Sequence, residues 1–356
     1  MEPRRVVVAM SGGVDSAVAA ARCVAAGWDV VGISLRLVRD GGGGCCSLDD
    51  YQDARAVADR LGFPHYVLDA ADEFEGSVIG PFVSEYLRGR TPNPCARCNQ
   101  HVKFGLLWRR ARELGATHLA TGHYARVETN GATGRPRLRT AVDARKDQTY
   151  FLFMLERALL ERTLFPVGDL TKTQVRAEAA ALDLRVADKP ESMEVCFVPD
   201  GDPAAFVEGR SAPEALRPGP ILDEAGREVG RHGGIHRFTV GQRRGLGLGG
   251  GPRRYVAAVD AEHGTIRVVE DGGLRARGLV AREVVWIDGA PAAPIEVAVR
   301  IRHRQPPLPA RVVVSGAGEA TVVFSAPGPA VTPGQAAVFY DGDVVLGGGW
   351  IAGDLP

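Results

Sequence analysis

Lysine is nearly absent from this sequence. Only Lys103, Lys146, Lys172 and Lys189 occur among the 43 basic residues, which leaves 39 arginines. A coding bias explains most of that excess, but a lysine kept under such a bias points to a place where a compact ammonium does what a planar guanidinium cannot. Net charge is missing too, since 43 acidic residues balance the basic ones. That balance argues against a general polyanion binder and confines any nucleic-acid surface to a local patch. No run of about 18 apolar residues occurs, which excludes a membrane-spanning helix. The apolar stretch 6–10 behind the basic N-terminus is too short for a signal-peptide core, so the chain is expected in the cytoplasm. In that reducing compartment the six cysteines, Cys23, Cys45, Cys46, Cys95, Cys98 and Cys196, read as catalytic, redox-active or metal-binding rather than as structural disulfides.

What is present is enough for more than one compact domain. The chain has 356 residues, 45% of them hydrophobic and 24% charged, within the range of folded globular proteins. Over the first two hundred residues strand and helix signals alternate: strands at 6–10, 29–38, 65–68 and 117–120, helices at 14–26, 49–61 and 99–114. Such alternation predicts an α/β domain with a parallel sheet. Beyond residue 200 the pattern changes. Pro203, Pro213, Pro218 and Pro220 punctuate a linker, and short β-type runs then alternate with Gly/Pro turns. The expected division is a catalytic α/β domain over 1–204 and two small, mainly β domains over 205–275 and 276–356.

The segment Ala9-Met10-Ser11-Gly12-Gly13-Val14-Asp15-Ser16 joins the first strand to the first helix. Paired glycines allow a tight turn that presents N–H groups to an anion, and the serines and the helix N-terminus add donors. The reading is a phosphate cradle. It lacks the Gly-Lys-Ser/Thr ending of a Walker loop, so γ-phosphate transfer is not expected. Ser-Gly-Gly-Val-Asp-Ser after a first strand resembles the loop of the N-type ATP pyrophosphatases, which implies cleavage of ATP to AMP and pyrophosphate, with Asp15 as the partner for magnesium.

Cys95-Ala96-Arg97-Cys98 places two thiols just before the expected helix at 99–114. A helix N-terminus together with Arg97 and Lys103 favours the thiolate. Half of a zinc site is the competing reading, but a second CxxC is missing and the vicinal Cys45-Cys46 makes a poor joint ligand. Cys196, between Val195 and Phe197, reads alone as a core cysteine. Taken with the loop, Thr91 to Pro94, Thr121-Gly122-His123-Tyr124, Lys146-Asp147-Gln148, Gly241-Gln242-Arg243-Arg244-Gly245 and Thr332-Pro333-Gly334-Gln335, it completes a motif order that resembles the bacterial tRNA-specific 2-thiouridylases over nearly the whole chain.

That resemblance implies adenylation of the C2 oxygen of the wobble uridine by ATP, then replacement of AMP by sulfur. Cys196 would carry a persulfide from a cysteine desulfurase or a sulfur-relay protein, and Cys98 would be the nucleophile, leaving a Cys98–Cys196 disulfide to be reduced. The family also implies nucleotide contacts from 9–16, Leu35 and Gly122, and tRNA contacts from Asn93, Pro94, Cys95, His123, Lys146, Asp147, Gln148, Arg302, His303 and Gln335. The sequence departs from the family at Cys95, where aspartate is usual. Cys95, Cys98 and Cys196 could instead hold an iron–sulfur cluster with one open iron. Cys45 and Cys46 stand where they could relay sulfur. An amide-forming synthetase and a zinc-bound RNA-binding module are the rival readings.

From Arg231 to Arg254 six arginines, His232 and His236 occur without a carboxylate. Arginine forks beside glycines suit phosphate oxygens, so Arg243 and Arg244 are read as tRNA contacts, and Arg300, Arg302, His303 and Arg304 as a second basic cluster. Lys103, Lys146 and Lys189 neighbour these motifs in sequence, whereas Lys172 is remote from them.

Overall fold

The computed structural model describes residues 4–39, 47–190, 195–249, 252–270 and 273–355. Cys45 and Cys46 lie outside the described residues. The chain divides into two compact units, the first comprising 1–78, 95–201 and 342–346, the second 79–94, 202–341 and 347–356.

The first unit is built on a parallel sheet. Its strands are β1 (Arg5–Ala9), β2 (Asp29–Arg36), β3 (His65–Asp69), β4 (His118–Thr121) and β7 (Thr163–Leu164), in the order β3-β2-β1-β4-β7. Val6, Val7 and Val8 of the central strand have no exposed surface, as a strand covered on both faces requires. The alanine-rich helix α1 (Val14–Ala25) packs its small side chains into the core shared with α2 (Leu48–Leu61). Cys23 belongs to this core, and burial pushes its thiol up to about 12, so it is an inert core side chain rather than a reactive one. The hairpin β5 (Ala125–Thr129) and β6 (Pro136–Thr140), absent from the expected elements, pairs through β6 with Val344 and Val345. The chain runs from β1 to β2 on one side and β4 lies on the other side of β1. The carboxyl ends of β1 and β4 therefore form the crevice in which α/β sheets bind ligands.

One boundary differs from expectation. The helix expected at 99–114 starts at Pro94, as a turn Pro94–Arg97, continues as a π-helix over Cys98–Leu106 and ends as a helix Leu107–Glu113. Both cysteines are thus inside helical structure rather than before it. Proline is pre-set for a first helical position because its fixed φ suits it and its missing N–H costs nothing there. The helix Lys172–Ala181 also went unread. It opens with a reciprocal cap, in which the Thr171 hydroxyl accepts from the Gln174 N–H and the Gln174 side chain accepts from the Thr171 N–H, a Thr-x-x-Gln pattern that the sequence displays.

The second unit is mainly β. Strands β8 (Gly219–Leu222), β9 (Glu228–His232), β10 (Arg254–Asp260) and β11 (Thr265–Glu270) form a sheet in the order β10-β11-β8-β9, packed on Ile221, Phe238, Val256, Ile266 and Val268. Strands β12 (Ala276–Trp286), β13 (Ile295–Arg300), β14 (Leu308–Gly316), β15 (Glu319–Gly328), β16 (Ala336–Asp341) and β17 (Val344–Asp354) follow the order β12-β15-β14-β13-β16-β17, and β12 also pairs with β17. That last pairing closes the strands into a barrel, which removes the exposed edges of an open sheet.

Candidate active site

The loop after β1 is held from inside. Met10 N–H donates to the Ile33 carbonyl at 2.8 Å, and the Ser34 hydroxyl donates to the Met10 carbonyl at 2.8 Å. Ser16 is 3% exposed; its hydroxyl donates to the Gly13 carbonyl at 3.0 Å and accepts the Ser11 N–H at 3.2 Å. Ser16 therefore shapes the turn, and Ser11 is the serine on the exposed side. Gly12 has φ +72°, and a Cβ there would stand 2.3 Å from the Asp50 carbonyl oxygen at the start of α2. Gly122, just past β4, would place a Cβ 2.7 Å from backbone atoms of Asp15 and Ser16. Glycine at both positions lets two neighbouring segments close on the loop. Leu35 lies near the end of β2, half-buried, with its carbonyl 3.4 Å from the Tyr51 hydroxyl.

Two lysines meet the carboxylates around this loop. Asp15 Oδ1 accepts from Lys172 Nζ and from the Tyr124 hydroxyl, each at 2.7 Å. Lys189 Nζ donates to Asp50 Oδ1 at 2.7 Å, to Asp53 Oδ2 at 2.5 Å and to the Gly12 carbonyl at 3.0 Å. Burial alone would raise the Asp50 carboxyl, but the Lys189 bond and the Ser47 N–H and hydroxyl outweigh it and hold Asp50 below its ordinary range. Burial likewise disfavours the Lys189 ammonium, and its bonds to Asp50 and Asp53 more than offset that, raising it. The sequence reading set Lys172 apart from the motifs and assigned no part to Asp50 and Asp53. In the fold Lys172 is at the loop, and both acids border it.

The thiols differ in exposure: Cys98 is buried at 7%, Cys95 is exposed and Cys196 is half-buried. Asn99, next to Cys98 and 2% exposed, donates through Nδ2 to the Phe151 carbonyl at 2.8 Å. This bond ties the π-helix to the stretch that follows Lys146-Asp147-Gln148. His123 sits between Phe104 and Phe165, with Nδ1 2.8 Å from the Thr121 hydroxyl. Burial first, and the charge of Lys103 second, push its imidazole well below the ordinary value, so it is neutral at physiological pH. Asp147, 4% exposed, turns inward and accepts from the Ala141 N–H and the Thr149 hydroxyl. Gln148 accepts from the Tyr124 N–H at 2.8 Å, and Lys146 beside it is half-buried.

In the second unit Asn93 and Pro94 are buried. Gln335 Nε2 donates to the Thr91 and Pro92 carbonyls at 3.1 and 3.2 Å, holding the stretch that leads to Asn93. Arg302 reaches the Thr332 hydroxyl at 2.9 Å and the Val240 carbonyl at 3.3 Å, and His303 beside it is half-buried. The basic run from Arg231 to Arg254 is less uniform than its composition. His232 and His236 are buried, the first against the Gly264 carbonyl at 3.1 Å and the second against Glu208 at 2.7 Å, so neither belongs to a cationic surface. Arg243 and Arg244 are exposed, and a cavity of about 530 Å³ is lined by Arg243, Gly245, Gly247, Arg253 and Arg254.

Residues 4–200 match the family described as the tRNA methyl transferase HUP domain, 205–270 the tRNA methyl transferase PRC-barrel domain and 276–351 the aminomethyltransferase β-barrel domain. The tRNA-specific 2-thiouridylase MnmA of Geotalea uraniireducens is 50% identical over 98% of this chain and 95% of its own length. The corresponding proteins of Heliobacterium modesticaldum and Geobacter metallireducens are 48% and 50% identical, each over 98% of this chain and over 93% and 96% of their own lengths. The chain belongs to the tRNA-specific 2-thiouridylase MnmA family.

Membership in the MnmA family over almost the full length favours neither the amide-forming synthetase nor the zinc-bound module. Among the described residues no group of three or more His, Cys, Asp or Glu side chains is arranged to hold a metal ion, so Cys95, Cys98 and Cys196 do not fit the iron–sulfur reading. Magnesium that arrives with a nucleotide makes a smaller demand, because phosphate oxygens and water supply most of its ligands and one carboxylate suffices. Asp15 meets that demand. Lys172, Tyr124 and Asn99 were missed from sequence; the lysine scarcity and the Thr171 capping pattern were the signals that could have found Lys172.

Proposed function

We propose that this chain carries out ATP-dependent 2-thiolation of the wobble uridine of tRNA. The observation that carries the reading is that a phosphate loop and the thiols Cys98 and Cys196 belong to one compact unit, in a chain about half identical throughout to tRNA-specific 2-thiouridylases. The loop from Ala9 to Ser16, with Gly122 against it and Leu35 at the end of β2, binds ATP, and Asp15 would hold a magnesium ion that neutralises phosphate charge. The uridine C2 oxygen attacks the α-phosphorus and pyrophosphate leaves, which converts a poor leaving group into AMP.

Sulfur arrives as a persulfide on Cys196 from a cysteine desulfurase or a relay protein. Cys98 attacks the Cys196 sulfur; the bond to the terminal sulfur breaks with its electron pair on that sulfur, which bonds to C2 as AMP departs. A Cys98–Cys196 disulfide remains, and a thiol reductant, itself oxidised, returns it to the two thiols. Cys95, exposed in the first turn of the same helix, replaces the usual aspartate beside the target base. His123, Lys146, Asp147 and Gln148 border the base, Asp147 by fixing the turn that presents its neighbours, and Asn93 and Pro94 serve tRNA binding. Arg243, Arg244, Arg302, His303 and Gln335, within 205–275 and 276–356, contact or position the tRNA. The reaction takes place in the cytoplasm, where tRNA and persulfide donors are found.

Incubation of ATP, a persulfide donor and unmodified tRNA with wild type, Cys98→Ser and Cys196→Ser, scored for 2-thiouridine, tests the reading. Product from wild type and none from either variant is expected. Undiminished product from Cys196→Ser overturns the assignment of the sulfur carrier.

A further inference from the structure

The phosphate loop is bordered by negative charge. Asp15 lies on it, and Asp50 and Asp53 stand on the first two turns of α2, whose backbone reaches Gly12. A triphosphate is polyanionic, so carboxylates at this distance oppose its binding unless they are neutralised. Lys189 supplies that neutralisation. An ammonium has three N–H donors, and those of Lys189 find three acceptors: Asp50, Asp53 and the Gly12 carbonyl itself. No donor is left for a phosphate. The backbone carrying Lys189 is in turn fixed by Arg176, which donates to the Ala187 and Lys189 carbonyls at 2.6 and 3.1 Å. Arg185 pairs with Asp53 at 2.8 Å from a more exposed position. A planar guanidinium cannot converge three donors on acceptors placed around one point, which gives a reason for lysine here in a chain that otherwise uses arginine.

We infer that Lys189 is a positioning residue for ATP, holding the Gly12 carbonyl in place and cancelling the Asp50 and Asp53 charges that would repel the phosphates. The inference rests on the loop being the ATP site. ATP binding by the full-length chain, measured by calorimetry at low and high salt, tests it with wild type, Lys189→Met, and Lys189→Met combined with Asp50→Asn and Asp53→Asn.

Lys189→Met weakens ATP binding about tenfold or more, because it uncovers Asp50 and leaves Asp53 only the more exposed Arg185. The triple variant recovers to within about threefold of wild type, since the repulsion is gone, and added salt narrows the Lys189→Met defect. A purely structural lysine gives no recovery when its partners are also removed. Unchanged binding by Lys189→Met, or a triple variant as weak as Lys189→Met, overturns the inference. If Lys189→Met does not fold, Asp50→Asn/Asp53→Asn with Lys189 retained decides: it binds ATP at least as tightly as wild type, and weaker binding overturns the inference. Failure of wild type to bind ATP overturns the reading of the site instead.

Discussion

At the residue scale, exposure and charge set what each side chain of the site can do. Cys95 is exposed, Cys98 and Cys23 are buried, and Cys23 has a raised pKa. Limited alkylation of the native protein followed by mass spectrometry is therefore expected to modify Cys95 before Cys98 and to leave Cys23 until last. Early labelling of Cys23 would show that the α1 core opens. Asp50 gives a test in pH. Its folded pKa lies below the ordinary 3.8 despite burial, because Lys189 and Ser47 stabilise the carboxylate. Its ionised form thus adds stability above the unfolded value, and that contribution is lost as pH falls through the folded one. The difference in melting temperature between wild type and Asp50→Asn is expected to be constant above about pH 5 and to shrink below about pH 4; a gap that grows on acidification contradicts it. Residue types and motif order made the loop and the thiols legible in the sequence. Which way a polar side chain turns was not legible. Ser16 and Asp147 read as ligand contacts and His232 and His236 as part of a basic run, yet each is buried, the first two against local partners and the histidines against Gly264 and Glu208, distant in sequence.

At the element scale, the site depends on how closely segments approach. Gly122→Ala would push a methyl carbon against the backbone of Asp15 and Ser16. Backbone cannot yield as a flexible side chain does, so a loss of about 1–3 kcal/mol is expected, together with weaker ATP binding, read by thermal unfolding with and without ATP. A variant as stable as wild type would mean that the strand end and the helix separate easily. Thr171→Ala removes the cap of the Lys172–Ala181 helix and is expected to cost about 1 kcal/mol. Because Lys172 follows that cap directly, ATP affinity should fall along with stability. The strand–helix alternation, the buried valine run of β1 and the β tail were all readable from periodicity. The π-helix at Cys98–Leu106 and the early helix start at Pro94 were not, since a run with one extra residue per turn keeps no apolar period that a 3.6-residue template detects.

At the scale of the whole molecule, zero net charge leaves tRNA binding to clusters. Each phosphate contact contributes about 0.7 to 0.9 to the slope of log K against log salt. Arg243→Ala/Arg244→Ala is therefore expected to lower that slope by up to about 2 while leaving ATP binding unchanged, and an unchanged slope removes these arginines from the tRNA surface. The unit that holds the phosphate loop and the thiols also holds residues 342–346, through which Val344 and Val345 pair with β6. Those residues stand far along the sequence from the strand they pair with. The N-terminal fold can begin during synthesis, but the β6 edge of its β5–β6 hairpin stays unpaired until Val344 and Val345 are in place. A chain cut before residue 342 thus lacks the strand that pairs with β6 and exposes that edge to aggregation and proteolysis.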